Sequence, residues 1–176
     1  MNRTVTLDNG KILHFKSLEA KDVAAFYAYQ DKLGAQTNFT MQYPGRPKKP
    51  VEKTIKQFDD PNQMNIGLWD NGVLVGVIGA ALLRPDHPWV AHVCEFWIGL
   101  LQGYHNQGLG TQMMQVLEEW AKSKNVKRIE GRVRTGNRQG VALYLKCGFK
   151  IEGHHLHTAL IDGQWHDEYT IAKLLD

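Results

Sequence analysis

The sequence predicts a mixed α/β domain built around one sheet. Three observations carry that reading. Segments with strand periodicity and segments with helix periodicity alternate along all 176 residues. No repeat, low-complexity tract or interdomain linker interrupts them. A glycine turn, residues 105–111, joins a strand-like run to an amphipathic helical run, the connection that α/β architectures are built from. The length suits one domain, residues 1–176, with a real core and little room for a second.

Lys11 to Phe15 reads as a first strand after an Asp8-Asn9-Gly10 turn. Ala20 to Asp31 reads as a helix starting near Ser17, with Val23, Phe26 and Tyr27 on its apolar face. Gly34 to Pro50 is loop-like, and Val51 to Phe58 is a second, shorter helix. Asn65 to Trp69 and Val73 to Leu83 flank Asp70-Asn71-Gly72, a hairpin signal. Pro85 and Pro88 precede a long strand, Trp89 to Leu101. In the helix from Leu109 to Lys122, residues Leu109, Met113, Val116, Leu117 and Trp120 share one face, a core stripe. Val126 to Val133 is a strand with Ile129 and Val133 on one side and Arg128, Glu130 and Arg132 on the other. Asn137 is positioned to cap a helix through Lys146, and Gly148 to end it. Phe149 to Glu152 resumes as a strand, and Leu160 to Ile171 forms a hairpin around Asp162-Gly163.

Composition excludes several classes. The formal net charge is +3, from 21 basic and 18 acidic residues mixed along the chain, which does not call for nucleic acid. The compact basic run Arg46-Pro47-Lys48-Lys49 reads as a solvated loop. Cys94 and Cys147 make no disulfide framework and suit a reducing interior. Polar residues follow Met1, and no apolar run reaches membrane length, so a soluble cytoplasmic protein is expected. His154 and His155 fall on opposite faces of a strand, with no cysteine or carboxylate at ligand spacing, so no metal is expected.

The turn His105-Asn106-Gln107-Gly108-Leu109-Gly110-Thr111 has the chemistry of a phosphate cradle. Free N–H groups and the positive end of the helix dipole attract anions, and Gly108 and Gly110 lack a Cβ that would hold a ligand off the backbone. Two familiar phosphate loops fail here. Gly110 is followed by Thr111 and Gln112 without the Walker lysine, and position 113 is Met where a dinucleotide fingerprint needs a third glycine.

Downstream lies Asn137-Arg-Gln-Gly-Val-Ala142-Leu-Tyr144-Leu-Lys146-Cys-Gly148-Phe149. This stretch resembles the second signature of the GNAT superfamily of N-acetyltransferases. The strand Glu95-Phe-Trp-Ile98-Gly-Leu100, followed by Tyr104 and Gly108-Leu-Gly110, resembles the first. Asp167-Glu168-Tyr169 is similar to the last strand of bacterial members that acetylate small amines or peptide N-termini. The match spans residues 65 to 174, and the N-terminal third fits in element order alone. The family's turn usually opens with Arg or Gln, then Gly, where this chain has His105 and Asn106.

The resemblance implies a mixed central sheet splayed at a bulge, flanked by about four helices, with acetyl-CoA as cosubstrate in the V. It places the pantetheine on the backbone of Ile98 and Leu100, and the diphosphate on residues 105 to 111, with the Thr111 hydroxyl. Asn137 reads as a helix cap, a cofactor contact, or both. Tyr144 occupies the usual general-acid position beside the sulfur. Glu95 is the candidate base, acting through water with its pKa raised by partial burial; it reads alternatively as a structural carboxylate, and His92 is a weaker candidate. Cys94 and Cys147 read as core residues, so direct attack by the amine is expected.

The acceptor is expected to be a primary amine of a small molecule or peptide. It would enter between Phe26, Tyr27 and the 34–50 loop on one side and Trp165, His166 and Tyr169 on the other, aromatics that read equally as core. Homodimerisation is common in the family. A non-catalytic acyl-CoA sensor or partner subunit is the alternative reading, and Tyr144 with Glu95 favours the enzyme.

Overall fold

The computed structural model describes residues 2–176. Its strands are β1 (Asn2–Thr6), β2 (Ile12–Ser17), β3 (Gln63–Asp70), β4 (Val73–Leu82), β5 (Val93–Leu100), β6 (Arg128–Arg134), β7 (Lys150–Ile161) and β8 (Gln164–Leu174). The helices are α1 (Val23–Gln36), α2 (Val51–Asp59), α3 (Leu109–Ser123) and α4 (Arg138–Lys146). One open sheet carries all eight strands in the order β1-β2-β3-β4-β5-β6-β8-β7. Every pairing is antiparallel except β5 with β6. That single parallel pair makes the sheet mixed, as the sequence predicts.

The same pair opens the sheet. β5 and β6 are in register only over Val93–Glu95 and Arg128–Glu130. Beyond that point β5 stays with β4 as far as Leu100, and β6 stays with β8 as far as Arg134. Each half-sheet then follows its own twist and the two diverge. The bulge expected at the splay is not a slip in the β4–β5 register, which runs unbroken from Gly76↔Leu100 to Leu82↔Cys94. Register shifts fall instead between Leu68 and Trp69 and within the β7–β8 hairpin.

Helices cover both faces. On α3, Leu109, Met113, Val116 and Leu117 are fully buried, and Trp120 packs against the core. A Cβ on Gly76 would meet Leu100 and the Met113 methyl, which fixes α3 on the face of Leu100, Ile98 and Phe96. A Cβ on Gly99 would meet Tyr29 and Leu33, which puts α1 on the opposite face.

Several boundaries differ from expectation, four of them for a visible reason. α1 runs on to Gln36, because Gly34 packs directly against the backbone of Tyr43 and does not end the helix. β5 starts at Val93, because residues 87–93 are tied into turns by Val90, Ala91 and Val93 N–H bonds. β1 was hidden by its polar composition; it pairs with β2 across the Asp8-Asn9-Gly10 turn. β7 is longer than predicted, since an exposed, histidine-rich strand lacks the apolar alternation that would reveal it.

Candidate active site

The splay leaves one edge of β5 without a strand partner. The His92 carbonyl accepts from the Lys127 and Arg128 amides on the β6 side. Backbone groups alternate along a strand, so Cys94, Phe96, Ile98 and Leu100 turn theirs to that same edge. Past the last paired rung, Ile98 and Leu100 line an open cleft of about 1540 Å³. This exceeds the roughly 300–1000 Å³ of an ordinary ligand pocket, so a long ligand and a second substrate fit together.

The floor of the cleft is the turn into α3. Asn106 and Gly108 have φ of 61° and 74°, and the first helical bond runs from the Gln112 amide to the Gly108 carbonyl. The amides of Leu109, Gly110 and Thr111 therefore have no acceptor in the helix and are available to an anion. A Cβ on Gly108 would meet nothing within 4 Å, so its glycine requirement is conformational, and the space beside it is open. Gly110 lines the cleft and also serves the packing of two helices. A Cβ there would sit 2.9 Å from Leu143, so this glycine lets α3 and α4 approach closely.

Side chains fix the turn. Tyr104 donates to Asp70 at 2.5 Å, and Lys11 makes an ion pair with the same carboxylate. Lys11 first and Tyr104 second hold Asp70 below the usual carboxylate range. Nε2 of His105 lies 2.8 Å from the Leu100 carbonyl oxygen, and Gln107 donates to the Gly103 carbonyl.

The opposite wall is α4. Asn137 caps it by accepting from the Gly140 amide at 2.9 Å, and it also lines the cleft. Tyr144 is 7% exposed. Its ring meets the Phe96 edge at 5.5 Å and Phe149 at 6.1 Å. It lines the cleft, and its hydroxyl has no hydrogen-bond partner among the described residues. Burial, with a smaller contribution from Cys147, pushes that hydroxyl well above the ordinary phenol value, so it stays protonated.

Of the residues expected to form the site, Ile98, Leu100, His105, Asn106, Gly108, Gly110, Thr111, Asn137 and Tyr144 share the cleft. Leu109 is buried in the core and offers only its amide, and the Gln107 side chain is spent on the turn. Glu95 lies at the apex of the V but is exposed and outside the lining, so the expected partial burial is not found. By strand alternation it shares the α1 face of the sheet. His92 is exposed too. Burial pushes the Cys94 thiol up to about 12, which removes it as a nucleophile.

The acceptor wall also differs from expectation. Phe26 meets Phe58 edge-on in the core, Tyr27 bonds Lys49 and Thr54, Trp165 stacks on His157, and Tyr169 lies tilted against His154. None of these lines the cleft. The expected 34–50 loop does line it, through residues 34–44 with Phe39 and Tyr43, and the last hairpin contributes residues 160–162 in place of the three aromatics named. The sequence reading also missed Arg134, which is buried in the cleft wall. A charged residue in a strand that alternates charged and apolar side chains gives no sign of which charge is buried.

Residues 33–149 match the model of the acetyltransferase (GNAT) family. The chain belongs to this family. The GNAT relatives include the L-amino acid N-acetyltransferase AaaT of Escherichia coli, 31% identical over 93 residues, which are 51% of this chain and 56% of that protein. The uncharacterized N-acetyltransferase YobR of Bacillus subtilis is 39% identical over 59 residues, 33% of this chain and 24% of YobR. The match thus spans about half of the first relative and a quarter of the second. A GNAT-family acetyltransferase from Streptococcus pneumoniae superposes with a TM-score of 0.85 at 27% identity, covering 93% of this chain and 99% of that one. YncA of Salmonella typhimurium, a putative acetyltransferase solved with acetyl-CoA, has the same fold: TM-score 0.79, 14% identity, 93% and 94% coverage.

Proposed function

We propose that this GNAT protein transfers the acetyl group of acetyl-CoA directly to a primary amine of a small molecule or peptide. One observation carries the reading: the unpaired edge of β5, the free amides at the start of α3 and the unpartnered Tyr144 hydroxyl converge on one cleft. The residues suit acetyl-CoA. The start of α3 accepts a diphosphate, and the strand edge beside it accepts an amide-bearing arm. The acetyl-CoA in the Salmonella neighbour and the acetyltransferase names of the relatives support this assignment.

Acetyl-CoA supplies a thioester carbonyl activated toward amines. The amides of residues 107–111 and the Thr111 hydroxyl hold the diphosphate, with His105 and Asn106 shaping the turn, and Asn137 borders the arm from α4. Ile98 and Leu100 align the arm on the strand edge, and the Ile98 amide stabilises the carbonyl oxygen as it gains charge. Tyr144 keeps its proton in the buried wall and offers it to the departing sulfur. The amine must lose a proton to attack. Glu95 at the open apex of the V receives it through solvent, a role its exposure and its position outside the lining restrict to water-mediated transfer. The buried Cys94 thiol supports direct attack over an acyl-enzyme. The free cysteines, Cys94 and Cys147, support work in the cytoplasm.

Incubation of purified protein with acetyl-CoA and a panel of primary amines tests the proposal. Thiol release with an acetylated product by mass spectrometry supports it. Tight acetyl-CoA binding with no release from any amine would favour a sensor.

A further inference from the structure

Arg134 ends β6 and is 6% exposed, yet it lines the cleft. Its Nη1 is buried and has no hydrogen-bond partner. No carboxylate forms an ion pair with it among the described residues, Asp162 of the same cleft included. Glu130 and Glu152 bind Arg128, and Asp167 binds His154 and the His157 amide. Glu168 stands opposite Arg134 in the β6–β8 ladder but forms no ion pair with it.

A guanidinium keeps its charge in proteins, and a buried charge without a counter-ion is strongly unfavourable. Such a group in a cleft wall is a docking point for an anion. Its planar fork matches a carboxylate with two parallel bonds.

Two features place that anion away from the coenzyme's phosphates. Ile129, Gly131 and Val133 face the α3 and α4 side, where Phe96 packs on Gly131. Arg134 therefore faces the other way, toward α1. The phosphate cradle belongs to α3. The 37–44 loop closes over the Arg134 side, with Phe39 3.6 Å from the position of a Cβ on Gly136.

We infer that Arg134 binds a carboxylate carried by the acceptor, so that the protein selects amines bearing a free carboxyl group, as in an amino acid. The inference rests on the acetyl-transfer reading and adds the chemistry of the acceptor.

The test compares wild type with Arg134→Gln and Arg134→Lys. Each is assayed on a set of L-amino acids and the matching carboxamides, with acetyl-CoA affinity and Tm measured alongside. Wild type should prefer acid over amide by about 10- to 100-fold in kcat/KM, expressed mainly in KM. In Arg134→Gln that ratio should fall to within about twofold, and in Arg134→Lys to an intermediate value. Acetyl-CoA affinity should hold, and Tm should stay level or rise as an unpaired buried charge is removed. Equal use of acid and amide by wild type overturns the inference. So does a loss of acetyl-CoA affinity with the acid preference intact, or a fall in Tm with that preference intact, which would make Glu168 the true counter-ion. Calorimetry with N-acetyl amino acids and free coenzyme A gives a readout independent of turnover. Binding by wild type that Arg134→Gln abolishes upholds the carboxylate site even where no amine is acetylated; equal binding by both refutes it.

Discussion

Nε2 of His105 stands 2.8 Å from the carbonyl oxygen of Leu100. A carbonyl only accepts, so the bond places the ring proton on Nε2. The residue that departs from the family's usual turn thereby fastens the phosphate cradle to the strand edge that would carry the pantetheine. It also occupies one lone pair of that carbonyl.

Removing this fastener should loosen the turn without emptying the site. His105→Ala is expected to weaken acetyl-CoA binding by roughly two- to tenfold, the scale of one net hydrogen bond. Calorimetry checks this, and tighter binding would mean that the ring obstructs the carbonyl.

Tyr144→Phe should separate chemistry from binding. Turnover should drop by about a hundredfold or more, the usual scale for a general acid. Acetyl-CoA affinity and Tm should hold, since the hydroxyl deleted has no partner in the protein. Unchanged turnover would remove Tyr144 from the proton path.

Asp70→Asn tests the anchor of the turn. The carboxylate binds Lys11 and Tyr104, so its loss should cost about 1–2 kcal/mol at neutral pH, a figure reduced because Lys11 is open to solvent. Asp70 has a lowered folded-state value. Its contribution is therefore fully present above the unfolded value of about 3.9 and is lost as pH falls through the lower folded value. The stability gap between wild type and Asp70→Asn, read by urea denaturation, should narrow below about pH 4.

The elements that the sequence revealed are those whose burial follows a period. The α3 stripe, the Asn137 cap and the β3–β4 hairpin stand where apolar spacing and turn residues put them. β1 escaped because only Val5 among its residues is buried. The turn into α3 was legible because its geometry lies in backbone groups and glycines. The acceptor wall was legible only in outline, as the 34–50 loop and the last hairpin, because which of their side chains meet depends on packing between residues distant in sequence. Phe39 and Tyr43 reach the cleft through the packing of Gly34 on Tyr43, while Phe26 and Tyr27 are drawn into the core. Glu95 lies on the central strand as read, but it is exposed and outside the cleft lining, and no local pattern encodes that exposure.

Thr111→Glu gives the most direct test that the start of α3 holds the diphosphate. Thr111 is the third residue of the helix, where an acidic side chain favours the helix dipole by about 0.3–1 kcal/mol. Gly110→Glu is a poorer choice, because it would also collide with Leu143. Calorimetric titration with acetyl-CoA, paired with a melting curve, should show Thr111→Glu folding at least as well as wild type while its acetyl-CoA affinity falls by a hundredfold or more, about 3 kcal/mol. Wild-type affinity in this well-folded variant would contradict the account.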